Sequence, residues 1–188
     1  YGVSLRYYQR DAVNAVIDNE KGVIISPTAS GKTLNSLCIS KAYYQMGMQS
    51  INIVPSKVLL NQTYKEYEDK IDSVCRITDK DNEKSIKEKI ESYDHFIVTW
   101  QKLNNVSHLF RGFEGVVIVD EAHQIADVLS QLLSDEFSEC PIRVGMTGSL
   151  PKDKNKKEKI FCHIGNDVIY EIPSKQLMEE DYISSAYV

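Results

Sequence analysis

Two short segments restrict the fold of this chain more than any other feature. Pro27-Thr28-Ala29-Ser30-Gly31-Lys32-Thr33 follows the apolar run Gly22-Val23-Ile24-Ile25 and precedes a helical pattern over residues 34–48, so it reads as strand, loop, helix. Asp120-Glu121-Ala122-His123 closes a second apolar run, Gly115-Val116-Val117-Ile118-Val119, which has the unbroken character of a strand buried on both faces. A loop that enters a helix N-terminus presents unpaired backbone N–H groups and the positive end of the helix dipole. Thr28, Ala29, Ser30, Gly31, Lys32 and Thr33 are therefore expected to cradle a triphosphate. In such a site Lys32 reaches the β- and γ-phosphates, and the Thr33 hydroxyl is a hard oxygen ligand suited to Mg²⁺. Asp120, at the carboxyl end of a parallel strand, is the second candidate Mg²⁺ ligand, and Glu121 is the candidate base for the water that attacks the γ-phosphate. The loop departs from G-x-x-x-x-G-K-[ST] at its first position, Ser26, which places the expected tight turn on a residue with a Cβ.

Apolar runs alternate with mainly helical patterns along the rest of the chain. Residues 23–26, 50–54, 74–78, 96–99, 116–119 and 143–146 read as strands. Such a βαβ series builds an α/β fold, a mostly parallel sheet with helices on both faces and its ligand site at the carboxyl edge. The 188 residues suit one domain, with 42% hydrophobic and 26% charged residues, near globular averages. No apolar run approaches the roughly 20 residues that span a bilayer, so no membrane association is expected. The net charge of −5 argues against a uniformly basic surface, so any polyanion contact is expected to be local. Cys38, Cys75, Cys140 and Cys162 are scattered without metal or disulfide spacing, which fits a reducing cytoplasm. Asp79-Lys80-Asp81-Asn82-Glu83 is excluded as a calcium loop because Lys84 and Ile90 stand where glycine and glutamate are needed. The lysines of residues 152–159 suit either a solvated helix start or a phosphate-facing edge.

Further segments carry a resemblance. Leu5-Arg6-Tyr7-Tyr8-Gln9, Val54-Pro55-Ser56-Lys57, Val98-Thr99-Trp100-Gln101 and Met146-Thr147-Gly148-Ser149 stand in the order of the adenine-reading, Ia, Ib and III segments of superfamily 2 helicases. The chain, over residues 5–182, resembles the first RecA-like motor domain of that group. Within the group it looks most like the phage UvsW-type DNA helicases, with the XPB-type further off, through Thr99-Trp100-Gln101, Thr147-Gly148-Ser149-Leu150 and Ser174-Lys175-Gln176-Leu177-Met178-Glu179-Glu180.

The resemblance implies a RecA-like P-loop fold that uses ATP and Mg²⁺. It implies that Gln9 pairs with the adenine edge and that Arg6 packs on the base. Pro55, Ser56, Lys57, Thr99 and Gln101 would touch nucleic-acid phosphates, which fixes register without reading sequence. His123, Thr147 and Ser149 would couple the nucleotide site to that groove, while Trp100 suits either a stacking platform or the core and is left unassigned.

Residues 1–173 are expected to form the ATP-binding motor domain, and residues 174–188 the start of a connection to a second RecA-like domain of the same polypeptide. A start at Tyr1 suggests a fragment, and none of Arg6, Arg10, Arg76, Arg111 and Arg143 lies in a finger-like segment, so the chain is expected to act as a weakly active half-motor. The expected function is an ATP-dependent DNA helicase or translocase acting on branched or duplex DNA. An RNA helicase or restriction-system motor stays open because nothing here reads a 2′-hydroxyl. A nucleotide-gated clamp without turnover is the alternative from another class, opposed by the intact Lys32, Asp120 and Glu121.

Overall fold

The computed structural model describes residues 4–133 and 136–184. In chain order the elements are α1 (Tyr7–Asn19), β1 (Lys21–Ile25), α2 (Lys32–Tyr44), β2 (Ser50–Val54), α3 (Lys57–Glu68), β3 (Val74–Ile77), α4 (Glu83–Ser92), β4 (His95–Thr99), α5 (Trp100–Val106), β5 (Val116–Val119), α6 (Leu129–Leu133), β6 (Ile142–Thr147), α7 (Lys154–His163), β7 (Val168–Glu171) and α8 (Ser174–Glu179). The strands form one sheet in the order β3-β4-β2-β5-β6-β1-β7, and every pairing is parallel.

The continuous apolar runs account for the centre of this sheet, because β2, β4 and β5 are buried at every position. Alternate residues of each strand serve opposite faces. Ile51, Ile53, Val98 and Val117 pack with Ile86 of α4, Leu103 of α5 and Ile160 of α7. Ile24, Ile118, Val144 and Met146 pack on the other face with Val13 of α1 and Ile39 of α2, while Val54 and Ile97 pack with Leu37 of α2 and Leu60 of α3. Helices therefore cover both faces, as the βαβ alternation implied.

Boundaries differ in instructive ways. β1 stops at Ile25, so Ser26 belongs to the loop, and β3 stops before Thr78, whose N–H and hydroxyl both donate to Asp81 at 2.7 and 2.9 Å. The helix expected over 34–48 ends at Tyr44, and Gly47 turns the chain at φ 81°. Residues 152–159 do start a helix, α7, and Lys156 and Lys159 pair with Asp127 at 3.0 and 2.9 Å, which agrees with the solvated-helix reading. β7 is a seventh strand that the sequence pattern did not announce. Its half-buried edge position leaves neither an unbroken apolar run nor a clean alternation.

Candidate active site

The strand order assembles the two motif segments. β6 lies between β1 and β5, so the loop after β1, Thr147 at the end of β6 and Asp120 just after β5 stand side by side at one carboxyl edge. The Ser26 N–H donates to the Thr147 carbonyl at 3.0 Å, and the Asp120 N–H donates to the Ile53 carbonyl at 2.9 Å, which continues the ladder into the site.

Gly31 caps α2 in the left-handed region at φ 90°. That conformation favours glycine, and a Cβ there would lie 2.4 Å from the Gln9 side-chain nitrogen and push it from its bond to the Ser30 carbonyl. The missing first glycine has no such consequence. Ser26 is absent from the left-handed residues and accepts a 3.1 Å hydrogen bond from the Ser30 hydroxyl, whereas the left-handed turn falls on Ala29 at φ 65°. A Cβ in that region costs about 1–2 kcal/mol. Thr28 and Ala29 are exposed at the crown of the loop, Ser30 is buried, and Thr33 is half-buried in the first turn of α2.

Lys32 points back into the loop, 3.4 and 3.5 Å from the carbonyls of Ser26 and Pro27, and its ammonium is 3.2 Å from Glu121. Glu121 is itself left-handed, at φ 47°. Asp120 is buried, and its carboxyl pKa is pushed up to about 6, first by burial and then by the charge of Glu121, with Lys32 pulling the other way. A divalent cation would relieve both unfavourable effects. Asp120 and Thr33 offer the hard oxygens that Mg²⁺ takes, and the ion needs no third carboxylate when phosphates and water complete its shell. Among the described residues no cluster of three or more His, Cys, Asp or Glu could hold a metal on its own.

His123 Nδ1 lies 2.8 Å from Thr147 Oγ1 and 3.4 Å from Glu121. The Thr147 hydroxyl donates to the Ser149 carbonyl at 2.7 Å, and Glu121 can only accept, so Nδ1 carries the imidazole proton in this arrangement. Glu121, His123 and Thr147 are thus joined, but Ser149 takes part through its backbone while the residue is exposed.

The base-reading candidates lie on the other side of β1. Gln9 is buried beneath the loop, where its amide donates to the Ser30 carbonyl at 3.0 Å and accepts from the Arg6 N–H at 3.0 Å. Tyr8, not singled out from sequence, donates to the same Ser30 carbonyl at 3.1 Å. Arg6 is exposed, and its guanidinium carbon lies over the Tyr182 ring, 4.8 Å from the ring centre.

Residues of the Ia and Ib segments lie at the carboxyl ends of β2 and β4, beyond β5. Ser56 and Thr99 cap α3 and α5 by accepting from Leu59 N and Lys102 N at 3.3 and 3.4 Å. Pro55 is half-buried, Gln101 is exposed, and Lys57 is exposed and paired with Asp79. Trp100 is half-buried against the core. A cavity of about 550 Å³ opens beside Lys57 and Thr99, lined by the cations Arg76, Lys80 and Lys89 and by the carboxylates Asp79 and Asp81, which pair with Lys57 and Lys89. These three cations escaped the sequence reading because they are scattered over β3, the loop after it and α4 without a motif.

The comparisons with known proteins fit this geometry. The family described as "Type III restriction enzyme, res subunit" matches residues 2–152. The chain belongs to that family. It is 26% identical over 177 residues to the DNA 3'-5' translocase XPB2 of Sulfurisphaera tokodaii, covering 93% of this chain and 37% of the relative. It is 23% identical over 183 residues to the ATP-dependent DNA helicase uvsW of Enterobacteria phage T4, covering 95% and 36%. The crystal structure of the UvsW helicase from bacteriophage T4 superposes with a TM-score of 0.76 at 21% identity, over 89% of this chain and 60% of that one, and so shares the fold. The resemblance to the first RecA-like domain of superfamily 2 motors is thereby shown. The chain spans about a third of the length of these curated relatives. Among the described residues no helix is long and apolar enough to cross a membrane.

Proposed function

We propose that this ResIII-family domain is the nucleotide-hydrolysing half of an ATP-dependent DNA helicase or translocase. The observation that carries the reading is the convergence of Lys32, Asp120, Glu121 and Thr147 on three adjacent strand ends, with Lys32 held 3.2 Å from Glu121.

In this reading the backbone N–H groups from Thr28 to Thr33 receive the phosphates of ATP, and Lys32 leaves Glu121 to meet their charge. Its release frees the Glu121 carboxylate to orient and deprotonate the attacking water. Thr33 and Asp120 would hold Mg²⁺, which when bound neutralises charge on the phosphate oxygens. Arg6 and Gln9 serve the adenine. His123 touches both Glu121 and Thr147, and this supports a coupling role for His123, Thr147 and the Ser149 backbone. Pro55, Ser56, Lys57, Thr99 and Gln101 form the contact edge for nucleic-acid phosphates.

Residues 1–173 make up the motor domain in this reading, residues 174–188 lead toward a second RecA-like domain, and the protein works in the cytoplasm on branched or duplex DNA. The family's own description supports a second reading, the motor of a restriction system. The test is ATP hydrolysis by the full-length parent protein with single-stranded, duplex and branched DNA and with RNA, at one salt concentration. Stimulation by branched DNA is expected. Stimulation by unbranched duplex alone would favour the restriction motor, stimulation by RNA alone would favour an RNA helicase, and no turnover would favour a clamp.

A further inference from the structure

The phosphate loop occupies the end of β1, and the charged chemistry of Lys32, Asp120 and Glu121 lies on its β6 and β5 side. A nucleotide whose terminal phosphate faces that chemistry must extend its base the other way, toward α1 and β7. There the structure presents the Arg6 guanidinium, exposed and backed by an aromatic ring. Tyr182 lies 4.8 Å behind it, and the Tyr182 carbonyl is 3.4 Å from Arg6 Nη1. The same nitrogen donates to the Tyr8 hydroxyl at 2.9 Å, and Tyr8 in turn donates to the Ser30 carbonyl of the phosphate loop at 3.1 Å.

Tyr182 does not lie loosely on this surface. Its N–H donates to the Leu177 carbonyl at 2.8 Å, and Leu177 and Ile183 are buried in a small core with Tyr8 and Ile172. The Tyr182 ring also packs edge-on against Tyr8 at 5.4 Å. An arginine side chain is otherwise long and freely rotating, but stacking on a ring and a hydrogen bond together fix the plane of its guanidinium. A fixed guanidinium plane with one covered face offers the other face to a flat π-system.

We propose that Tyr182 is a positioning residue for the nucleotide base: it holds Arg6 flat, so that a purine stacks on the open face of the guanidinium. The inference rests on reading the loop as a triphosphate site. It also gives the segment after α8 a direct stake in nucleotide occupancy, since the base and Tyr182 would share one side chain.

The test measures the affinity of the full-length parent protein for ATP and for inorganic tripolyphosphate, which lacks the base, by calorimetry with Mg²⁺. Tyr182→Ala should weaken ATP about tenfold and leave tripolyphosphate unchanged, while Tyr182→Phe should retain parental affinity for both. Tyr182→Leu keeps the apolar bulk against Tyr8 and loses the ring, and it should repeat the selective loss even if Tyr182→Ala fails to fold. Equal weakening of both ligands, or no weakening of ATP, would overturn the proposal. A parent chain that binds tripolyphosphate as tightly as ATP would overturn it too, while leaving the phosphate loop intact. A parent that binds neither would remove the triphosphate reading and this proposal together.

Discussion

The two halves of the sheet's carboxyl edge are built on opposite plans. On the β1, β6 and β5 side Lys32, Asp120 and Thr147 are buried, and the backbone around them enters the left-handed region at Ala29, Gly31 and Glu121. On the β2, β4 and β3 side the caps are ordinary and the charges reach solvent, with Lys57 and Asp79 at 77% and 58% side-chain exposure. Buried charge and strained backbone persist only where the surroundings over-determine them, which suits chemistry on one small ligand. The cavity there mixes cations with Asp79 and Asp81, and charges that reach solvent make contacts that are individually weak and screened by salt.

The largest effect expected from this contrast lies in the buried half. In the full-length parent, Glu121→Gln should lower ATP hydrolysis by about 10²–10⁴-fold and preserve nucleotide binding, measured by turnover and equilibrium titration. Survival of turnover would remove Glu121 as the base, and survival of biological function without turnover would favour a clamp.

Titration sets two buried groups apart, Asp120 at the carboxyl edge and His95 at the opposite end of β4, because their pKa values shift in opposite directions. Asp120 rises from 3.8 to about 6 on folding, so its contribution to stability is fully present below pH 3.8 and is lost as pH rises through 6. His95, buried at the start of β4, falls from 6.5 to about 4, mainly through burial. Its contribution is present above pH 6.5 and is lost as pH falls through 4. Each shift corresponds to about 3 kcal/mol, and the two oppose each other between pH 4 and 6. Denaturant unfolding across that range should show Asp120→Asn gaining stability with rising pH relative to the parent, and His95→Gln losing it. Parallel pH curves for the parent and both variants would break the contrast.

In the exposed half, Lys57→Ala in the full-length parent should weaken DNA binding a few-fold and reduce the salt slope by about one, with basal hydrolysis and melting temperature unchanged. An unaltered salt slope would take Lys57 off the DNA path. The smallest effect returns to the phosphate loop. Ala29→Gly relieves the left-handed strain at φ 65° but frees the unfolded chain, so a net stabilisation of up to about 1 kcal/mol is expected by chemical denaturation. Destabilisation would mean that the Ala29 methyl makes contacts worth more than its strain.

This difference between the halves also explains what could be read in advance. That Lys32, Thr33, Asp120 and Glu121 stand at strand ends was legible because each motif lies directly after an apolar strand, where spacing along the chain becomes position in space. Arg76, Lys80 and Lys89 were not, because they meet at one cavity only after β3, α4 and the start of α3 have packed. Tyr8 was legible as a helix residue, but its bond to Ser30 was not, because 22 residues separate the two.

From the order of its residues alone, the chain determined which runs become central strands and that the two motif segments follow strands directly. These follow from local periodicity and from chemistry confined to a few neighbouring positions. Only the tertiary structure decided that β6 would separate the two motif strands and that Ala29 rather than Ser26 would take the strained turn. It also decided that β7 would close the sheet. There Gly165 lies so near β1 that a Cβ on it would come within 2.5 Å of the Gly22 nitrogen. Strand order and close approach are contacts between residues far apart in the chain, and no local pattern records them.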